Sequence, residues 1–452
     1  MPSERRAFLL APLRFGASVT FVLAACSATA AAVASCSSDG DGGNIDVADA
    51  ATDSASDAMT LEAGSPDAAP PAPDAAAFDG GPLPIVCASS SCATSLTTTF
   101  STSDQEGFCA LLQDQTVACW GGNDSGQLGR GDDAGAVGSA IPEKVPGLLG
   151  IVQLANTCAV DASGSAWCWG TGPYLQQQAN LGARTTERTP VKLALPPATS
   201  VSVGGGANLV GCAVLEDGAV VCWGHNGDAL IAPFETAPST ATLPPTEVAM
   251  PSGPPIRRVV VGEAAFVVRE DGTTSSWGRN PPLGRISSIA PDPVPGPILL
   301  GRVSSLDLVV NRACATQAGT GYCWGTGWGL DGKLDRALPQ PVVAPEPLVQ
   351  ISTTPTSSPQ WRWCAVGASG DVYCFGPNTI GQAGDGTKDH AYSTVKVKGL
   401  PAPAVQVKTT PTSTCALLTN GKVYCWGSNF YGQLGSGMFK VPSLSPQEVV
   451  LP

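Results

Sequence analysis

The chain has 452 residues, enough for a large core, and sets 37 acidic against 24 basic side chains for a net charge of −13. The excess is uneven: residues 37–82 hold ten acidic and no basic residues, residues 1–36 stand at +2, and the rest carries −5. With no basic stripe on that remainder, nucleic acid is not an expected partner, and 40 Pro with 53 Gly argue against long helices.

From the N-terminus, residues 1–35 have the form of an export signal: Arg5, Arg6 and Arg14 precede an apolar, small-residue stretch over 15–35. Two lipoprotein-type cleavage boxes lie in it, Leu-Ala-Ala-Cys ending at Cys26 and Val-Ala-Ser-Cys ending at Cys36. The first has the more usual pattern. Cysteine parity favours the second, because cleavage before Cys36 discards Cys26, lipidates Cys36 and leaves 14 of the 16 Cys for seven pairs. The expected lipidation site is therefore Cys36, with Cys26 the alternative. The product would be anchored to the outer membrane or cell surface. Residues 36–82, rich in Ala, Asp and Pro, cannot bury enough apolar surface to offset their ordering entropy and are expected to be a disordered acidic tether.

Residues 83–452 are organised by a hairpin written seven times. The copies start at Cys109, Cys158, Cys212, Phe266, Cys314, Cys364 and Cys415, with spacings of 49, 54, 54, 48, 50 and 51 residues. A fixed period near 50 means a repeat architecture. Turn dipeptides such as Asp217-Gly218, Asp271-Gly272 and Asn420-Gly421 supply the positive φ that tight hairpins need. A three-residue loop sets Cys212 opposite Cys222. The fifth copy is one residue shorter, and a two-residue Ala318-Gly319 turn keeps Cys314 opposite Cys323. Upstream of each hairpin lies another short strand, such as Val201-Ser202-Val203. Further upstream lies a Pro-x-x-Val element, such as Pro190-Val191-Lys192-Leu193. Four short strands per repeat, seven times, fit radial closure into an all-β seven-bladed propeller of four-stranded blades. A linear solenoid would carry atypical end caps, whereas the first and last copies here are the most regular. Closure is expected from a C-terminal strand, residues 447–451, joining the first blade near 96–119.

Twelve Cys sit in six hairpin pairs: Cys109–Cys119, Cys158–Cys168, Cys212–Cys222, Cys314–Cys323, Cys364–Cys374 and Cys415–Cys425. The fourth copy has Phe266 and Ser276 in their places. Loss in pairs is the mark of a disulfide. Nine intervening residues do not suit structural zinc, whose ligand cysteines stand two to four apart. Cys87 and Cys92 offer a seventh pair. That many disulfides imply an oxidising compartment.

After Trp-Gly the most regular copies continue Asn-x-x-Gly-Gln-Leu-Gly, as in WGGNDSGQLGRGD from Trp120 and WGSNFYGQLGSG from Trp426, with FGPNTIGQAGDGT from Phe375 close to them. With the period, this resembles the repeat of the regulator of chromosome condensation family, over roughly residues 96–452. The resemblance implies a seven-bladed propeller with Trp120, Trp169, Trp223, Trp277, Trp324, Trp426 and Phe375 packed between blades. It also implies a protein-binding module, as in a bacterial propeller of this kind that inhibits β-lactamases.

Catalytic, metal and cofactor motifs are missing from the sequence, and its two His, His225 and His390, lie in separate loops. The expected function is non-enzymatic: a monomeric cell-envelope protein presenting a propeller face to a protein partner, touching membrane only through its lipid. Guanine-nucleotide exchange, implied by the family's namesake, and action on envelope polysaccharide are the alternatives. Trp361, Arg362 and Trp363 in SSPQWRWC form a Trp/Arg cluster of the kind found at binding hot spots. Copies two to five have lost the regular loop and carry unusual ones, including TGWGLDGKLDR from Thr326. A contact surface is expected across them, with Trp328 as aromatic anchor.

Overall fold

The computed structural model describes residues 78, 80–89, 91–99, 105–131, 138–326, 335–354 and 361–452. The signal segment with Cys26 and Cys36, the tether as far as residue 77, and Trp328 lie outside these residues.

Seven antiparallel four-stranded sheets follow one another along the chain, over residues 93–144, 151–192, 198–247, 256–297, 305–341, 348–396 and 404–449. Each is a meander in which consecutive strands pair. The repeated hairpin forms the second and third strands of a blade. The strand upstream of it is the first and innermost. The Pro-x-x-Val element belongs to the outermost strand of the preceding blade, as in Thr185–Lys192 and Ser443–Val449. Proline is tolerated there because one side of that strand makes no ladder bonds.

Local chemistry sets the register. In the three-residue loops, Gly218 sits at φ +90°; in the shorter fifth copy, Ala318 and Gly319 take φ +47° and +79°. Cys212 stands opposite Cys222 and Cys314 opposite Cys323 in both cases. In every blade the pairing of third and fourth strands skips the signature aromatic, a bulge that turns its ring into the neighbouring interface. The Gly after the aromatic has no substitute: at Gly325, φ is +113° and a Cβ would lie 2.2 Å from the Asn311 carbonyl oxygen.

The core is a ring of seven interfaces. The cysteine pair of one blade lies in the same buried cluster as the aromatic of the next: Cys109 and Cys119 with Trp169, Cys158 and Cys168 with Trp223, Cys212 and Cys222 with Trp277, Cys364 and Cys374 with Trp426. Cys415 and Cys425 meet Trp120 of the first blade, so the ring is closed. Between blades four and five, where the cysteines are missing, Phe266 packs against Trp324 with ring centroids 6.1 Å apart.

Closure differs from the expectation. The C-terminal strand Ser443–Val449 pairs with Val423–Gly427 of its own repeat, Cys425 opposite Gln447, and does not join the first blade. Among the described residues no sheet combines strands of blades seven and one. The seam between blades seven and one is instead made by contacts that recur at other interfaces. The Ala93 N–H donates to Gly421 O at 2.9 Å, as Ala404 does to Gly370 one blade earlier. Gln406 Nε2 donates to Leu96 O at 2.8 Å and its Oε1 accepts from Leu96 N at 2.9 Å, matching the Gln350 side chain on Val407.

Candidate functional site

A meander places its turns alternately at the two ends of the ring. One face carries the hairpin turns; the other carries the loops after the first and third strands of each blade. The described chain reaches the ring on the hairpin-turn face, where the Val86 N–H donates to Thr419 O at 2.7 Å.

On the opposite face, the three regular loops are self-contained frameworks. Asn123, Asn378 and Asn429 each accept a bond from the backbone N–H five residues on, at 2.8–3.0 Å. Gln127, Gln382 and Gln433 each accept from the N–H two residues back. The Gln carbonyls then accept from the next blade's indole: Trp169 from Gln127 at 2.9 Å, Trp426 from Gln382 at 3.0 Å and Trp120 from Gln433 at 3.0 Å. The divergent loops keep this bolt with other carbonyls. Trp223 donates to Pro173, Trp277 to Leu230 and Trp324 to Pro282. Asn226 in the third copy even keeps the Asn role, its Oδ1 accepting from Ile231 and Ala232. The loops of copies two, three and four are therefore tied into the fold, each supplying the carbonyl that the next blade's Trp meets.

A buried polar relay spans blades six, seven and one. Glu106 precedes the first repeated hairpin. Its carboxylate accepts from the hydroxyls of Thr410, Thr412 and Ser413, from the Thr412 N–H and from Gln433 Nε2. Arg362 approaches the same Thr/Ser strap from the other side, donating to the carbonyls of Thr410, Ser413 and Gln382 and to the Thr414 hydroxyl. Burial holds its guanidinium below the ordinary value, opposed by the charge of Glu106. A second link crosses three blades: Asp307 accepts from Ser352, from the Thr353 N–H and from Lys408 Nζ at 2.6 Å. Both carboxylates line a cavity at the mouth of the central channel, together with Thr98, Asn156, Gly205 and Val310.

The structure buries the Trp/Arg cluster. Trp361, Arg362 and Trp363 are 8%, 1% and 5% exposed; the two Trp pack between blades five and six against Cys314 and Cys323, and Arg362 reaches the strap of blade seven, so they offer a partner no open surface. Trp363 stacks on Phe375, 5.8 Å between centroids, filling the space where other blades place the larger indole. His225 Nδ1 accepts from the Gly227 N–H, while His390 lies against Tyr392, burial holding its pKa below the ordinary value. Nothing in the sequence singled out Asp228 and Glu263, which face one another across blades three and four. Arg279 reaches both, at 3.4 and 3.9 Å, and Asn208 donates to Asp228 at 3.2 Å. Burial raises both carboxyl pKa values against the pull of Arg279. Among the described residues no group of three or more His, Cys, Asp or Glu could hold a metal ion.

Each hairpin cysteine pair is bonded, with Cα atoms 4.1 Å apart, and Cys87 is bonded to Cys92. Seven disulfides suit an oxidising, extracytoplasmic compartment.

Two matches to the regulator of chromosome condensation (RCC1) repeat fall on residues 405–433 and 420–452. The chain is 27% identical over 346 residues to the ultraviolet-B receptor UVR8 of Arabidopsis thaliana, covering 73% of this chain and 76% of that one. It is 26% identical over 344 residues to the human E3 ubiquitin-protein ligase HERC2, covering 71% of this chain but spanning only 7% of that much longer protein. Among solved structures, human WBSCR16 superimposes with a TM-score of 0.60 at 18% identity, covering 75% of this chain and 94% of that one. Yeast RCC1 (Prp20), solved bound to Kap60, gives 0.59 at 19% identity, covering 78% and 87%. The chain is thus a seven-bladed β-propeller whose last blade matches the regulator of chromosome condensation repeat.

Proposed function

We propose that this chain is a non-enzymatic binding protein of the cell envelope, exported as a lipoprotein and presenting one face of its propeller to a protein partner. The observation that carries the reading is how the polar groups at the channel mouth are used. Glu106, Asp307 and Arg362 have the burial and charge that chemistry would need, yet their hydrogen bonds go to the framework that ties neighbouring blades together. What remains for function is shape and surface on a rigid, disulfide-stapled ring. Lipid attachment at Cys36, or at Cys26, would hold that ring at the membrane it serves. The chain reaches the ring on the hairpin-turn face, which leaves the opposite, loop-bearing face for the partner. The test is cross-linking in whole envelope followed by titration of the purified pair. Saturable, stoichiometric binding supports the reading. Turnover of envelope polysaccharide, or stimulated nucleotide release from a small GTPase, without such a partner would replace it.

A further inference from the structure

The three regular loops share one backbone framework but not one surface. The two positions after the framework Asn are Asp124-Ser125 in blade one and Thr379-Ile380 in blade six. In blade seven they are Phe430-Tyr431. Further on, Asn378 Nδ2 donates to Thr387 O in blade six and Asn429 Nδ2 donates to Met438 O in blade seven, so Thr387 and Met438 hold matching places. Blade six continues with Lys388 and Asp389, blade seven with Phe439 and Lys440. The framework is therefore satisfied with Thr379 in the place of Phe430 and Lys388 in the place of Phe439, so those two rings do nothing for it. They are nonetheless in solvent: Phe430 is 56%, Met438 51%, Phe439 42% and Val441 50% exposed. The Gly437 N–H donates to Ala140 O of blade one, which brings exposed Ile141 alongside. Clustered exposed apolar side chains of this kind mark an interaction site.

Two features of Lys440 say what would cover it. Its ammonium lies 5.3 Å from the Phe430 ring centroid, in the middle of the patch, and among the described residues it has no carboxylate partner. Its backbone is held at φ +62° by a 2.7 Å bond from its N–H to Asn429 O, a conformation that a Gly or Asn would take with less strain. The geometry points to a docking surface on blade seven, formed by Phe430, Met438, Phe439 and Val441 around Lys440, for an apolar segment of a partner protein that carries a carboxylate to meet Lys440. The patch lies on the face away from that on which the chain reaches the ring. This favours a protein held in front of the propeller over the surface to which the chain is anchored. The inference rests on the protein-binding reading above.

The test pans a displayed random dodecapeptide library against the full mature chain. Recovered peptides are expected to set Asp or Glu beside apolar residues. They should bind about tenfold more weakly to Phe430→Ser, Phe439→Ser and Lys440→Glu, which change exposed side chains and should melt like the wild type. Lys440→Glu should recover binding to the same peptides with their acid changed to Lys. Peptides that ignore these changes but are lost on Ile286→Ser, at an exposed position of blade four, would overturn this surface and leave the protein-binding reading standing. Recovery of no peptide would sink both. If Phe439→Ser instead abolishes binding to phosphatidylglycerol vesicles, or dissociates a dimer seen by sedimentation, the occupant is a membrane or a second copy and the proposal falls.

Discussion

Trp120 and Gln433 are 313 positions apart in sequence and share a hydrogen bond of 3.0 Å, indole N–H to backbone carbonyl. The same bond recurs around the ring wherever a signature Trp meets the loop of the preceding blade. At this one position it joins the two ends of the chain. No strand is exchanged across the seam, so the ring is held there by side-chain contacts and by bonds such as Ala93 to Gly421.

Trp120→Phe is therefore expected to weaken the whole ring. It leaves the buried Gln433 carbonyl without its donor, at about 1–3 kcal/mol, with a further cost for the smaller ring. Chemical denaturation should show a lower midpoint. Trp277→Phe, between blades three and four, loses the equivalent bond to Leu230 and should cost a similar amount, because the two interfaces share this bond. A much smaller effect at Trp120 would mean that the seam is held mainly elsewhere.

The fourth hairpin offers a constructive test. Phe266 and Ser276 stand directly opposite, as the cysteines do in the other copies, and both are fully buried. The pair Phe266→Cys with Ser276→Cys should form a bridge, detectable by non-reducing peptide mapping. A loop of that length contributes roughly 2–3 kcal/mol. Two losses offset it: the Phe266 contact with Trp324 and the Ser276 hydroxyl bond to Leu283 O at 2.6 Å. The net gain is expected to be about 1 kcal/mol or less.

The hairpins were legible in the sequence because turn length and cysteine spacing change together, which leaves one register possible. Strand number was legible for the same kind of reason, since each repeat holds four short apolar runs and no room for more. The seam was not. The pattern of residues 447–451 fits an outer strand of either the last or the first blade, and only three-dimensional proximity decides between them. Trp361, Arg362 and Trp363 were misread because composition does not distinguish a hot spot from an interface inside the ring. Glu106 left a faint signal, an acid just before the hairpin, at the place where Ala155, Glu263 and Asn311 stand in other copies. Its donors come from the other end of the chain, so no local pattern could find them.

Glu106 and Arg362 clasp one strap from opposite sides, which makes their contributions interdependent. Arg362→Met leaves the Thr410 and Ser413 carbonyls buried and short of donors, and should cost about 3–5 kcal/mol. Glu106→Gln should cost less, because the amide oxygen still accepts from the hydroxyls. In the double variant the losses should not add, with a coupling of about 1–2 kcal/mol in a double-mutant cycle. Strict additivity would show that the strap does not transmit one residue's state to the other.

Anchoring can be decided by two substitutions in the export segment. Cys36→Ser should abolish metabolic lipid labelling and release a soluble propeller with its disulfides intact. Cys26→Ser should leave labelling unchanged. The reverse result would assign the lipid to Cys26 and leave Cys36 as an unpaired thiol. Labelling of both variants would show that neither residue carries the lipid.

The acid pair on blades three and four gives stability a particular pH dependence. Burial raises the Asp228 carboxyl, while Asn208, Arg279 and His225 oppose it. Glu263 is raised by burial and further by the charge of Asp228, against the pull of Arg279 and Asn311. For both groups the folded value stands above the unfolded one, so the fold tolerates the protonated form better than the charged form. Stability from this pair is fully present below the unfolded values and is lost as pH rises through the raised folded values. Asp228→Asn should remove that loss, since the amide still accepts from Asn208 or Arg279 and no longer repels Glu263. The variant is expected to melt above the wild type at about pH 7–8 and level with it below about pH 4, where carboxyls are protonated in either state. Thermal melts of the two proteins in parallel across that span cancel every other titrating group. A variant less stable than wild type at neutral pH would mean that the ion pair with Arg279 outweighs the cost of burying Asp228.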